Sequence, residues 1–393
     1  MMKNNWKKVK LGDLCHFQYG KSLPSQKRIA GEYPVYGSGG ITGFHNDFFI
    51  KAPGIIIGRK GSIGTVYFSD KNFCPIDTVY YIEENKNIYD LKFLYYLLSN
   101  SGLDKLNSDA AVPGLNRNTA HQQKFLIPER IGDQKKIAEI LSGYDDLIEN
   151  NNRRIKILEE MAQAIYKQWF VDFKFPGYEK VKMVDSSAGE AGGELGLIPE
   201  GWEAKMIKDF IDIKSGFPFS SLSYGDNGEY GLVTIKNVQD AEFVTDCTTR
   251  ILNVPENMPE HCFLNEGDIL LSLTGNIGRV CLVYGGTFLL NQRVAKLFPR
   301  KVEYGSFIYM LFRDNEFKNQ LEMLSNGVAQ QNLSPIEMSN IKIAFPNEKY
   351  MKIFHAEISP MLSNILLLKN KNLNLRQTRD LLLPKLMNGE IDL

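Results

Sequence analysis

Apolar residues recur at heptad spacing along residues 133–172, DQKKIAEILSGYDDLIENNNRRIKILEEMAQAIYKQWFVD. One row reads Ile137, Tyr144, Asn151, Leu158, Ile165; a second, four residues on, reads Leu141, Ile148, Ile155, Ala162, Trp169. Two such rows over about five repeats predict a helix that packs along another helix. At roughly 1.5 Å per residue it would run to about 60 Å. The spacing returns from Met351: Met351, Ile358, Ile365, Asn372, Arg379, with Phe354, Met361, Leu368, Leu375, Leu382 three residues later. With a folded module between them, the two helices are expected to pair antiparallel. Each carries one Asn on its seam, Asn151 and Asn372, and a seam Asn costs stability while fixing register. These two residues are expected to set the alignment of the pair.

The rest of the chain is an internal repeat with an offset of roughly 200 residues. Trp6 with VKLGDL at Val9–Leu14 answers GWEAKMIKDF at Gly201–Phe210. GIIIGRKGSIGTVYF (Gly54–Phe68) answers GDILLSLTGNIGRVCLV (Gly267–Val283), and FCPIDTVYYI (Phe73–Ile82) answers FLLNQRVAKL (Phe288–Leu297). AVPGLNRNTAHQQKFLIP (Ala111–Pro128) answers GVAQQNLSPIEMSNIKIAFP (Gly327–Pro346). β-Branched runs bounded by Gly predict strands and a hairpin in each copy, and Leu91–Leu98 and Phe307–Phe317 predict shorter helices. Each module is therefore α+β. The expected order is a first module at 1–130, a long helix at 131–175, a linker at 176–202, a second module at 203–346 and a last helix at 347–393. The linker reading rests on the run SSAGEAGGELG.

Zero formal net charge hides an uneven distribution. Residues 1–130 hold 17 basic and 11 acidic residues, net +6, and residues 203–346 hold 13 and 17, net −4. The opening module can face a polyanion; the second argues against a uniformly basic protein binding nucleic acid alone. The start, MMKNNWKKVK, lacks a signal peptide's apolar core and no run of 18 apolar residues occurs, so a cytoplasmic protein without a membrane partner is expected. The five cysteines include no C-x-x-C pair and read as reduced, buried thiols.

Candidate chemistry is sparse. The glycines at 58, 61 and 64 lack the G-x-x-x-x-G-K-[ST] frame and sit between strands, so they read as a turn. Asp77, Glu84 and Lys86 faintly match the two-carboxylate-plus-lysine pattern of metal-dependent nucleases, but Asp77 aligns with Gln292 and no acid answers Glu84. The five histidines show no ligand spacing, and neither a metal nor a cofactor is expected. Loops rich in Arg, Asn, Gln and Thr are the better lead. Arg suits guanine edges and phosphates, and Asn and Gln suit adenine. The candidates are Arg59, Lys60, Ser62, Asn116, Arg117 and Asn118 in the first copy, and Thr274, Asn276, Arg279, Gln330, Gln331 and Asn332 in the second. The bland alternative is that such side chains bond their own turns.

The first long helix closely resembles the central conserved helix of specificity (S) subunits of type I restriction-modification enzymes. ELGLIPEGW (194–202) looks like that family's entry into its second target-recognition domain, and LLLPKLMNGEIDL (381–393) is similar to its C-terminal ending. The resemblance covers essentially the whole chain. It implies two target-recognition domains held apart by an antiparallel helix pair, each reading half of a split sequence in double-stranded DNA. It also implies docking of two methyltransferase (M) subunits on the helices, with restriction (R) subunits joining them. The family's S subunit is not itself catalytic, which agrees with the absence here of an N-P-P-Y-type motif. One departure is Pro113-Gly114-Leu115-Asn116 where the second copy has Ala329-Gln330-Gln331-Asn332, nearer the usual family loop; different half-sites are expected. A nuclease acting through Asp77, Glu84 and Lys86, and a coiled-coil scaffold without DNA readout, are the rival readings.

Overall fold

The computed structural model describes residues 5–106, 114–186, 195–325 and 332–391. The chain divides into two compact units, Met1–Glu149 with Asn374–Leu393, and Asn150–Leu373. Each unit holds a stretch of both long helices.

The first unit contains β1 (Trp6–Lys10), α1 (Leu11–Leu14), β2 (Gln18–Tyr19), β3 (Tyr33–Gly37), β4 (Gly40–His45), β5 (Gly54–Gly58), β6 (Val66–Ser69), β7 (Cys74–Pro75), β8 (Val79–Glu83), α2 (Leu91–Ser99), α3 (Arg117–His121) and β9 (Lys124–Pro128). Long helix α4 (Ile131–Tyr166) follows. An antiparallel sheet runs β2-β8-β5-β6, and a second runs β4-β3-β7 with β3 and β7 parallel. The Ile55-Ile56-Ile57 run fills β5 with fully buried β-branched residues, so this strand lies at the centre of its core. Asp90 caps α2, its Oδ1 accepting from Phe93 N at 2.9 Å. The helix then buries Leu91, Phe93, Leu94, Leu97 and Leu98 in one cluster with Ile55, Ile57, Ile137 and Leu141. Each such side chain contributes about 1.5–3 kcal/mol through burial.

The second unit repeats the plan with β10 (Met183–Asp185), β11 (Leu197–Pro199), β12 (Glu203–Met206), β13 (Ile211–Ser215), β14 (Tyr230–Val233), β15 (Arg250–Ile251), β16 (Phe263–Leu264), β17 (Ile269–Ser272), β18 (Val280–Leu282), β19 (Phe288–Leu290), β20 (Val294–Pro299), α5 (Gly305–Arg313), α6 (Asn315–Ser325), α7 (Pro335–Ser339) and β21 (Lys342–Phe345). Long helix α8 (Glu348–Met387) ends the series. The sheet β13-β20-β17-β18 matches β2-β8-β5-β6, and the parallel pair β14 and β19 matches β3 and β7. The pairing of β1 with β9 recurs as β12 with β21. The chain is α+β and duplicated.

The seam residues do pack helix on helix. Within the first unit, Ile137 and Leu141 of α4 share a cluster with Leu382 and Leu386 of α8, and Arg379 is ion-paired with Asp145. Within the second, Ile155 packs with Ile365 and Leu368, and Ala162 and Tyr166 with Phe354 and Ile358. Rising numbers on α4 meet falling numbers on α8, so the pair is antiparallel in both units. Asn151 Nδ2 donates to Asn372 Oδ1 at 2.9 Å, and Asn372 Nδ2 donates to Asn152 Oδ1 at 2.8 Å.

Three local differences from the sequence reading have physical causes. α4 does not continue as α-helix to Asp172; Lys167–Val171 forms a π turn closed by Asp172 N donating to Lys167 O at 2.9 Å. The wider turn lets adjacent Trp169 and Phe170 both point inward, Phe170 lying 4.9 Å from Phe307 and 4.7 Å from Phe354. The helix expected over Phe307–Phe317 is two helices, because Asp314 adopts an extended backbone and its Oδ1 accepts from Phe317 N at 3.0 Å, starting α6. The segment expected as a linker pairs β10 with β11 on either side of its Gly-Ser run and buries Ile198 and Trp202 in the second core. Its apolar flanks set this pairing; residues 187–194 lie outside the described residues.

Candidate nucleic-acid interface

Both units carry the same turn between equivalent strands, after β5 and after β17. Gly61 and Gly64 have φ of 79° and 70°, and Gly275 and Gly278 have 74° and 77°, the left-handed region that favours Gly. Gly58 serves differently: a Cβ there would lie 2.0 Å from Ser62 O. In the second unit the same place is Ser272, whose hydroxyl donates to Asn276 O.

Ladder register fixes the equivalences. Gly58 faces Val79 as Ser272 faces Val294, so Asp77 corresponds to Gln292 and Thr78 to Arg293. Lys60 bridges Gly114 as Thr274 bridges Asn332, so Gly114 corresponds to Asn332. The sequence alignment of Asn116 with Asn332 is therefore corrected by two residues. Asn116 corresponds instead to Ser334, and both are helix caps. Asn116 Oδ1 accepts from Asn118 N at 2.8 Å and Thr119 N at 3.2 Å, and Ser334 Oγ accepts from Glu337 N at 3.4 Å.

In the first unit the loops converge on an aromatic residue that sequence reasoning missed. Tyr19 is half-exposed, with the guanidinium of Arg59 4.9 Å from its ring centre and that of Arg117 5.0 Å away. Its ring also meets Tyr80 at 5.1 Å, and the Tyr80 hydroxyl donates to Leu115 O at 3.0 Å. Arg59 is held by its backbone, N to Thr78 O and O from Leu115 N, both at 2.9 Å, and its Nη1 donates to Asp77 O at 3.2 Å. Two cations stacked on one tyrosine, each contact worth about 0.5–1 kcal/mol when exposed, form a positive platform. Lys60, Ser62 and Asn118 are exposed around it. Alternating Tyr19 and Tyr80 on paired strands was the signal available, but it required the β2–β8 register.

The second unit is built otherwise. Arg279 is half-buried, donating to Gln239 Oε1, and in the amide orientation that satisfies both groups the Asn276 oxygen accepts from it at 3.0 and 3.2 Å. Thr274 and Asn332 line an open cleft with Gln292 and Arg293, two residues absent from the sequence-based set. Gln330 and Gln331 lie outside the described residues.

Elsewhere, Glu84 pairs with Lys86 at 3.4 Å. Among the described residues no three His, Cys, Asp or Glu side chains gather as a metal site, and no helix is long and apolar enough to cross a membrane.

Two copies of one α+β scaffold, each holding an antiparallel stretch of the two long helices and differing in the side chains of its loops, are the architecture of a duplicated specificity protein. The chain belongs to the type I restriction modification DNA specificity domain family, whose model matches it twice, at residues 3–160 and 199–375. It is 25% identical to the Type I restriction enzyme MjaVIII specificity subunit of Methanocaldococcus jannaschii over 98% of this chain and 93% of that one. It is also 25% identical to the HindI specificity subunit of Haemophilus influenzae over 79% of each. The crystal structure of the type I restriction-modification S subunit from M. genitalium shares the fold, with a TM-score of 0.65 at 18% identity over 100% of this chain and 98% of that one.

Proposed function

We propose that the chain is the non-catalytic DNA-specificity subunit of a type I restriction-modification complex, each unit reading one half of a bipartite site in double-stranded DNA. The observation that carries the reading is duplication with divergence. Strand order and the two-glycine turn are the same in both copies, whereas the loop side chains at equivalent places differ. Conserved scaffold with changed loops is how one fold serves two recognition tasks.

In the first unit the readers are Arg59, Lys60, Ser62, Arg117 and Asn118, with Asn116 holding α3 in place. In the second they are Thr274, Asn276, Arg279 and Asn332, joined by Gln330 and Gln331. The helix pair docks two methyltransferase subunits, restriction subunits join that assembly, and Asn151 with Asn372 sets the register that spaces the half-sites. The net −4 of residues 203–346 makes the second unit the more dependent on its methyltransferase partner for phosphate contacts. The test is to co-purify the chain with its methyltransferase subunits and map modified bases on genomic DNA at single-molecule resolution. A split site with an unread spacer supports the reading. Modification without a split site, or no stable complex, overturns it.

A further inference from the structure

The two units differ at one equivalent place. In the second, Ser215, Thr274, Gln292, Arg293 and Asn332 line an open cleft of about 690 Å³. Tyr19 faces Tyr80 across the first unit's ladder, and Ser215 faces Ala295 across the second's. Two tyrosines in one copy are thus a serine and an alanine in the other. The first unit fills this place with Tyr19 between Arg59 and Arg117, and the second leaves it open.

Three polar groups in the open copy have no partner among the described residues. Thr274 Oγ1 is buried and, among the described residues, has no hydrogen-bond partner, an arrangement that costs free energy unless a ligand completes it. Gln292 and Arg293 are exposed on the rim, and among the described residues neither side chain has a hydrogen-bond or ion-pair partner. Only the Arg293 backbone is committed, its carbonyl accepting from Leu273 N at 3.2 Å. A guanidinium whose backbone is fixed and whose fork is free matches the O6 and N7 acceptors of guanine in the major groove, and a Thr hydroxyl can serve either edge of a base pair.

We propose that this cleft is a base-edge subsite for guanine, read by Arg293 with the Thr274 hydroxyl completing the polar wall. It acts in one half-site only, because Tyr19 occupies the corresponding place in the first unit. The proposal rests on the DNA-specificity reading above and assigns a base class to one part of it.

The test uses the full chain in complex with its methyltransferase subunits, methylating a DNA library randomised through both half-sites. Arg293→Ala is expected to lower the preference for guanine at one position of one half-site by about tenfold or more, leaving the other half-site unchanged. Thr274→Val is expected to weaken methylation through the same half-site without lowering the melting temperature, since it replaces an unpartnered hydroxyl by a methyl. Unchanged preference at every position in Arg293→Ala overturns the subsite. So does an equal loss on all sequences with a salt slope reduced by about one, the mark of a phosphate contact. A wild-type complex that selects no split site overturns the specificity reading itself.

Discussion

Replacing Asn372 by Leu tests the helix seam where it is most polar. Asn372 is 3% exposed, and its amide makes two hydrogen bonds, 2.9 Å from Asn151 and 2.8 Å to Asn152. A net hydrogen bond contributes about 0.5–1.5 kcal/mol, so losing both costs on the order of 1–3 kcal/mol. The gain from burying Leu offsets part of this. In Asn151→Leu/Asn372→Leu the apolar pair replaces the amide pair at the middle of the seam, which favours stability and relaxes register. A double-mutant cycle in urea should therefore show a coupling between the two positions of about 1–2 kcal/mol, above the roughly 0.3–0.5 kcal/mol scatter of independent sites. The double variant should be at least as stable as either single one. If the two substitutions are additive, the amide pair is not the energetic link that the geometry implies.

Other consequences are equally direct. Arg59→Ala and Arg117→Ala should each relax base preference within one half-site, by about 1–3 kcal/mol at a position; preference unchanged at every position would remove both arginines from the readers. His121 Nε2 accepts from Phe17 N at 3.2 Å, and burial, then the charges of His16 and Arg117, lower its pKa below 6.5. The unfolded chain takes up this proton first, so the contribution is fully present above pH ~6.5 and is lost as pH falls through the folded value. Between pH 7.5 and 5.5 the urea midpoint of wild type should fall further than that of His121→Gln, and equal falls would contradict this.

Long-period features were legible in the sequence because they depend on spacing alone. The heptad rows marked both long helices, and their burial follows the rows: Ile137, Leu141, Ile148, Ile155 and Ala162 are buried on α4. The repeat was legible for the same reason, since glycines and β-branched runs recur wherever the backbone needs them. What failed was local. The break at Asp314 depends on one side chain choosing to cap, and the π turn at Lys167–Val171 depends on two aromatics finding Phe307 and Phe354. The loop alignment slipped by two because Asn116 and Asn332 are the same residue type doing different jobs, one a cap and one a bridge residue. Tyr19, Gln292 and Arg293 were passed over because their importance is set by which strands lie side by side, a long-range fact that no window of sequence contains.

The account's central claim is that each copy reads its own half-site independently. Its most direct measurement is an exchange of residues 203–346 for the matching module of another family member with a different split site, followed by mapping of modified bases in cells carrying the chimera and its methyltransferase. One half-site should change to the donor's, while the other half-site and the spacer length stay as in wild type. Change in both half-sites, or in neither, would contradict the account.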